Sequence, residues 1–293
     1  MIKNIDIKRP ILICGPTASG KSALAMKLAK EFDAIIINAD ALQIYSDWKI
    51  LTARPSHSDE QKIKHFLYGT KTLNQTYSVG NWLRDLEEIL IKQKEIPKII
   101  VGGTGLYFTS LIEGLAEIPE TTTKIRSEIN CWYKSEGFDI LARWLKEHDP
   151  ETFSIIDQKN PARVLRAIEI LTQTGKGFSY WQKTHSQPIL DFSRKNSFVV
   201  NIEKKLLNER IRKRFVTMIQ EGAIEEVKEN IKHWHMDFPG LKAIGAQEIY
   251  SYLMEEITLD EAINKAIIRT RQYAKRQRTW FRSKMTGWTQ IEV

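Results

Sequence analysis

The chain is short of cysteine, with only Cys14 and Cys131 among its 293 residues. Two isolated thiols build neither a disulfide framework nor a zinc site, so a reducing compartment is expected. No apolar run approaches the ~20 residues that a membrane helix needs. The first ten residues mix Lys, Asp and Arg with Ile, which predicts no apolar export signal. Repeats, low-complexity tracts and flexible linkers are also missing. Together these absences predict a cytoplasmic protein with no membrane partner.

What is present is a globular composition, 42% hydrophobic and 27% charged, long enough for one large domain or two ordinary ones. The charge sum is 44 − 36 = +8, and such a surplus suits nucleic acid, a membrane surface or an acidic substrate. It is concentrated. From Arg269 to Lys284 there are seven basic residues and no acidic one, which is an electrostatic footprint.

The first hundred residues alternate strand and helix signals. Apolar runs at 11–14, 34–37 and 98–101 read as strands, and 22–32 and the Trp82, Leu86, Ile89, Leu90 spacing read as helices. Continuous apolar strands separated by helices predict a parallel sheet covered on both faces. Residues 121–184 read as successive helices, and 198–202 as one more strand of the same sheet. The expected organisation is therefore a core of 1–115 and 196–293 around a helical insertion, 116–195. Thr258-Leu259-Asp260-Glu261 resembles a capping box opening a long helix, with Ile263, Ile267, Thr270, Ala274 and Phe281 as its expected buried stripe.

Gly15-Pro16-Thr17-Ala18-Ser19-Gly20-Lys21-Ser22 fits G-x-x-x-x-G-K-[ST], between a predicted strand and a predicted helix as the motif requires. Backbone N–H groups and the helix N-terminus would cradle a phosphate, Lys21 would add charge, and the Ser22 hydroxyl is a candidate Mg²⁺ ligand. Such a loop is commonly an ATP site. NTPases, however, usually carry an acidic residue at the end of an apolar strand, and strand 98–101 runs into Gly102-Gly103-Thr104-Gly105. A carboxylate follows the second strand instead, at Asp40, where it reads equally as a general base or as a helix cap.

Arg271, Lys275, Arg278 and Arg282 lie at i, i+4, i+7 and i+11, one stripe on one helix face that can track a phosphate backbone. Tyr273 and Trp280 share another face and either pack inward or stack on bases. Arg210, Arg212, Lys213 and Arg214 form a second basic cluster. His233-Trp234-His235 has no further ligand nearby. On loop and charge alone, a P-loop small-molecule kinase and a nucleic-acid-binding NTPase module stay open.

The ordered set of motifs resembles one family, the tRNA dimethylallyltransferases. It comprises the 15–22 loop, Asp40-x-x-Gln43 with Tyr45, Thr52-Ala53-Arg54-Pro55, Gly102-Gly103-Thr104-Gly105-Leu106-Tyr107, Asn160-Pro161-x-Arg163-x-x-Arg166-Ala167-x-Glu169, Arg210-Ile211-x-x-Arg214, Ala243-Ile244-Gly245 and Thr270-Arg271-Gln272-x-Ala274-Lys275-Arg276-Gln277-x-Thr279-Trp280. The resemblance runs from Ile11 to about Trp288. It implies an α/β fold with a P-loop NTPase-like parallel sheet flanked by helices, a helical insertion domain and a helical C-terminal region. It implies transfer of a dimethylallyl group from dimethylallyl diphosphate to N6 of the adenosine 3′ of the anticodon, with Mg²⁺ assisting, by a monomer. The two substrates would enter a channel from opposite ends.

By the same resemblance the 15–22 loop holds diphosphate, with Thr17 and Lys21 prominent, and Asp40 takes the proton from N6. Arg210 and Arg214 are further basic site residues. Asp40, Ala41, Leu42 and Gln43, Thr104, Arg126, and Ala162, Arg163, Val164, Leu165 and Arg166 touch tRNA, together with the 271–282 stripe and Trp280. The chain departs from the family at Ala41, where Ser is usual, at Phe66, where a second His is usual, and at Ala246, where Tyr is usual. No zinc finger follows the basic helix, which matches the bacterial form.

Overall fold

The computed structural model describes residues 5–184, 186–234 and 238–293. His235 and the side chain of His233 lie outside the described residues, so nothing follows for the His-Trp-His triplet. Contacts divide the chain into two compact units, Glu113–Pro188 and Met1–Ile112 with Ile189–Val293. The insertion thus starts three residues before the expected 116 and ends before 195. Residues 189–195 go with the larger unit because Leu190 N–H bonds the Leu111 carbonyl (3.2 Å).

The larger unit begins β1 (Ile11–Cys14), α1 (Lys21–Phe32), β2 (Ile35–Asn38), α2 (His57–Lys62), β3 (His65–Phe66), α3 (Val79–Lys92), β4 (Lys98–Gly102) and α4 (Gly105–Glu113). The smaller unit holds α5 (Thr123–Glu136), α6 (Phe138–His148), α7 (Pro150–Ile155), α8 (Pro161–Thr174) and α9 (Phe178–Trp181). The chain then returns through β5 (Ser197–Asn201), α10 (Lys204–Gln220), α11 (Ala223–Asn230), α12 (Ala246–Leu253), α13 (Leu259–Lys284) and β6 (Thr289–Glu292).

The six strands form one sheet in the order β3-β2-β4-β1-β5-β6, and every pairing is parallel. β1, β2 and β4 are buried along their whole length, which is why they read as unbroken β-branched runs. Their core joins Ile11, Ile13, Ile36, Ile99 and Val101 to Ala25, Leu28 and Ala29 of α1. Because all strands run the same way, their carboxyl ends gather on one edge, where loops can build a site. β6 was not expected: its alternating half-exposed residues carry no core signal, and its partner β5 decides it.

The Thr258–Glu261 capping box forms and starts the 26-residue helix α13. Its buried face differs from the expected stripe. Ile267, Ala274 and Phe281 are buried, joined by Ala262, Ala266 and Gln277, whereas Ile263 and Thr270 are only half-buried. The helix packs against α10 and α12 together, which widens the covered face beyond a single apolar line. In the smaller unit, Ile129, Leu141, Leu145, Val164, Ala167 and Ile168 make a core of their own.

Candidate active site

The site forms where β1, β2 and β4 end. After β1 the chain turns through Gly15-Pro16-Thr17-Ala18-Ser19-Gly20 into Lys21 and Ser22, the first residues of α1. Ala18 sits at φ 63° and Gly20 at φ 95°, left-handed values that curl the backbone so that successive N–H groups turn one way. Gly20 leads into α1 with no side-chain cap, so the helix's first N–H groups and positive end are left for an anion. Ser19 Oγ is buried beside them without a partner among the described residues.

Two arginines of α10 close over this loop. They stand four residues apart and so share a helix face. Arg210 Nη1 donates to the Ser19 carbonyl (3.3 Å) and Arg214 Nη1 to Thr17 Oγ1 (3.3 Å). Lys21 Nζ donates to the Pro16 carbonyl (3.3 Å). Burial pushes the Lys21 ammonium from its usual 10.5 down to about 8; the Asp40 carboxylate opposes that fall and Arg214 adds to it. Three cations around an N–H-lined loop suit a multiply charged anion.

Asp40 lies just past β2. Residues 39–43 contain no helix, so the helix-cap role is excluded. Its Oδ1 accepts the Leu42 N–H (3.1 Å). Asn38 braces the turn: its Oδ1 accepts the Asp40 N–H (2.8 Å) and its Nδ2 donates to the Asp40 carbonyl (3.0 Å). Thr104 Oγ1 accepts the Ala41 N–H (2.9 Å), and the Gln43 amide donates to the Thr52 and Ala53 carbonyls (both 2.9 Å). Asp40 Oδ2 has no hydrogen bond among the described residues.

Asp40 stands on a wall shared by two hollows. One is an open cleft of about 720 Å³ that receives Lys21, Lys49, Arg54, Arg210, Lys213 and Arg214. The other is a smaller cavity of about 70 Å³, lined mainly by apolar side chains including Leu42, Leu51, Ile211, Phe215, Met218 and Ile244. Thr17, Ala18 and Arg214 border both.

On α13, Arg271, Lys275, Arg278 and Arg282 are exposed and border one groove. None of the four pairs with a carboxylate among the described residues. Trp280 turns elsewhere: its ring packs so closely on Gly105 that a Cβ there would lie 2.1 Å from the indole. Tyr273 is half-buried; burial and the Asp40 carboxylate push its phenol up, and Arg276, Thr104 and Gln277 oppose that rise. In the smaller unit Ala162 and Arg163 are exposed and Leu165 and Arg166 half-buried. Val164 is fully buried in the helical core, which removes its side chain from any tRNA surface. Arg126 and Arg166 both pair with Glu169, at 3.8 and 3.0 Å.

The model of the family described as IPP transferase matches residues 43–284. The tRNA dimethylallyltransferase of Cereibacter sphaeroides strain KD131 is 46% identical over 292 residues, covering 100% of this chain and 91% of the relative. The chain belongs to the IPP transferase family. Among solved structures, the tRNA isopentenylpyrophosphate transferase of Bacillus halodurans is similar at a TM-score of 0.67 and 29% identity, covering 97% of this chain and 90% of that one. A eukaryotic dimethylallyltransferase described as acting on tRNA shares the fold at a TM-score of 0.80 and 24% identity, covering 97% and 74%.

Two polar residues of this IPP transferase carry site geometry that the sequence pattern did not single out. Glu226 of α11 accepts the N–H groups of Lys49, Ile50 and Leu51 at 2.6, 2.8 and 2.9 Å, fixing the segment whose side chains enter both hollows. Gln277, buried on α13, accepts the Thr17 N–H (2.9 Å) and donates to the Gly103 carbonyl (2.9 Å). Gln277 is a named residue of a recognised motif, yet it carried no assigned role there. Glu226 has no local signal at all.

Proposed function

We propose that this IPP transferase moves the dimethylallyl group of dimethylallyl diphosphate onto N6 of adenosine 37, just 3′ of the anticodon, releasing diphosphate. The coarser activity, prenylation of adenosine in tRNA, is that of its family. The observation that carries the finer reading is the wall between the two hollows. A charged cleft and a small apolar cavity meet at Thr17, Ala18 and Arg214, which fits a donor with an anionic head and a short branched tail. Asp40 stands at that junction, where the reacting carbon would lie.

The chemistry follows from these positions. The exocyclic nitrogen of adenine attacks C1 of the dimethylallyl group, and the C1–O bond breaks with its electron pair leaving on the diphosphate. Asp40 Oδ2 takes the proton that nitrogen gives up, assistance typically worth ~10²–10⁴-fold. The loop N–H groups, Lys21, Arg210 and Arg214 receive the charge gathering on the leaving group, and being held in place already they need little reorganisation. A loop adenosine must leave its stack to reach this point, which stacking and arginine contacts can offset.

Magnesium fits the same cleft. The exposed Ser22 hydroxyl borders it, while no group of three metal-ligating side chains occurs among the described residues. That donor set suits an ion that keeps waters and phosphate oxygens as its other ligands. Bound there, Mg²⁺ would neutralise diphosphate charge.

The exposed stripe on α13 supplies a surface for the tRNA backbone. The cleft, the cavity and Asp40 come from a single chain, which suits a monomer, and a tRNA substrate suits the cytoplasm. No described helix is long and apolar enough to cross a membrane. The deciding experiment is mass analysis of nucleosides from tRNA incubated with the protein, dimethylallyl diphosphate and Mg²⁺, beside an ATPase assay. Isopentenyladenosine at position 37 is the expected product. ATP turnover with no prenylated nucleoside would return the protein to the small-molecule kinases.

A further inference from the structure

The phosphate loop and Asp40 follow different strands, so their separation is not set by covalent structure. Beyond the shared pairing of β1 and β2 with β4, a buried amide bridges the two loops. Gln277 is 5% exposed. Its Oε1 accepts the Thr17 N–H and its Nε2 donates to the Gly103 carbonyl, both at 2.9 Å. The two partners force the orientation of the amide, since one can only donate and the other only accept. Next in the chain to Gly103, Thr104 holds the Ala41 N–H through its hydroxyl (2.9 Å). On the other side Thr17 holds Arg214 through its own hydroxyl (3.3 Å). An unbroken series therefore runs Arg214, Thr17, Gln277, Gly103-Thr104, Ala41, Asp40. Space at the centre is closed: a Cβ on Gly103 would lie 2.3 Å from Gln277 Nε2 and 3.1 Å from Asp40 Oδ2.

We propose that Gln277 is the positioning residue of the reaction, holding the diphosphate loop and the Asp40 carboxylate at the separation that transfer requires. It touches neither substrate carbon nor the transferred proton. Its work is to keep leaving-group cradle and base in register, and errors of about 1 Å at this level can cost ~10²-fold. This inference rests on the prenyl-transfer reading above.

A purely structural role for so buried a residue would lower stability and leave the folded enzyme's chemistry alone. Two substitutions separate the cases. Gln277→Leu removes both bonds at similar volume. Gln277→Glu keeps the acceptor for Thr17 but, when ionised, cannot donate to Gly103. When protonated, its carboxylic acid can do both and mimics the amide. The titratable and charged groups around position 277 are the Asp40 carboxylate and the Tyr273 phenol, with Lys21 and Arg214 reaching the Pro16-Thr17 turn that Gln277 holds.

Single-turnover prenyl transfer at saturating dimethylallyl diphosphate and tRNA should be measured from pH 8 to pH 6, alongside tRNA affinity and thermal midpoint. Wild type must transfer the prenyl group; if it does not, the functional reading has failed and not this one. For folded Gln277→Leu the rate should fall by ~30–100-fold with tRNA affinity within about twofold. For Gln277→Glu the rate relative to wild type should rise by ~10-fold as the pH falls, since protonation of the new carboxyl restores the donor to Gly103. If Gln277→Leu does not fold, the pH ratio of Gln277→Glu decides alone. A Gln277→Leu rate within about threefold of wild type, or a Gln277→Glu ratio flat with pH, would overturn the proposal.

Discussion

The molecule offers two surfaces to anions, and they are built in opposite ways. The phosphate loop is made of backbone. Its N–H groups are aimed by left-handed residues, and its three cations are held by hydrogen bonds at 3.3 Å. The stripe on α13 is made of exposed side chains with no carboxylate partner among the described residues. A preorganised loop can act on charge that develops during a reaction. An exposed stripe attracts charge that is already there, and salt screens it. The first arrangement suits catalysis and the second suits docking.

The sharpest way to break this contrast is Lys21→Ala. If the loop works on the leaving group, transfer should fall by about 10³-fold or more while tRNA affinity stays within about twofold. Equal losses in both, measured by single-turnover kinetics and filter binding, would make loop and stripe the same kind of site. Asp40→Asn comes next. It keeps the shape and the Leu42 contact but cannot accept the proton, and turnover should drop by ~10²-fold. Turnover like wild type would remove Asp40 from the reaction.

A smaller effect concerns protons. The Lys21 ammonium is lowered to about 8 from 10.5, so between those values the unfolded chain binds more protons than the folded one. Folding stability gains from this group as pH rises through that window, and the gain is absent below it. An incoming diphosphate opposes the lowering, so binding at pH 8 should take up about half a proton. Calorimetry of inorganic diphosphate binding in two buffers of different ionisation enthalpy measures this. Uptake by wild type no larger than that by Lys21→Ala, which cancels the proton carried by diphosphate itself, would contradict the loop's electrostatics.

The smallest effect is on salt dependence. Lys275→Ala and Arg278→Ala should each reduce the log–log salt slope of tRNA binding by somewhat under one unit, with the saturated transfer rate unchanged. Slopes equal to wild type for both would return the stripe to an ordinary solvated face.

Legibility differed between these regions for a physical reason. The loop was readable because its eight residues are consecutive and lie between a strand and a helix. The stripe was readable because a helix repeats every 3.6 residues. The Asp40 turn was half readable: position after β2 was clear, but whether it capped a helix depended on Asn38, Leu67 and Thr104. Val164 was carried along with its motif as a tRNA contact, and the core of its own unit claims it. For Trp280 the sequence left inward packing and base stacking both open, and Gly105 holds one face of its ring.

Sequence alone therefore determined the parallel sheet, the phosphate loop, the long capped helix and the charge on that helix, because each is a local pattern or a period. It also carried the family, because the motifs keep their order. Only the tertiary structure decided which amide joins the loop to β4, since Thr17 and Gln277 stand 260 residues apart. The same holds for the Glu226 carboxylate that fixes Lys49, Ile50 and Leu51 from 175 to 177 residues away. Such pairings follow from which buried polar groups must find partners once the core has closed, and no local spacing records that.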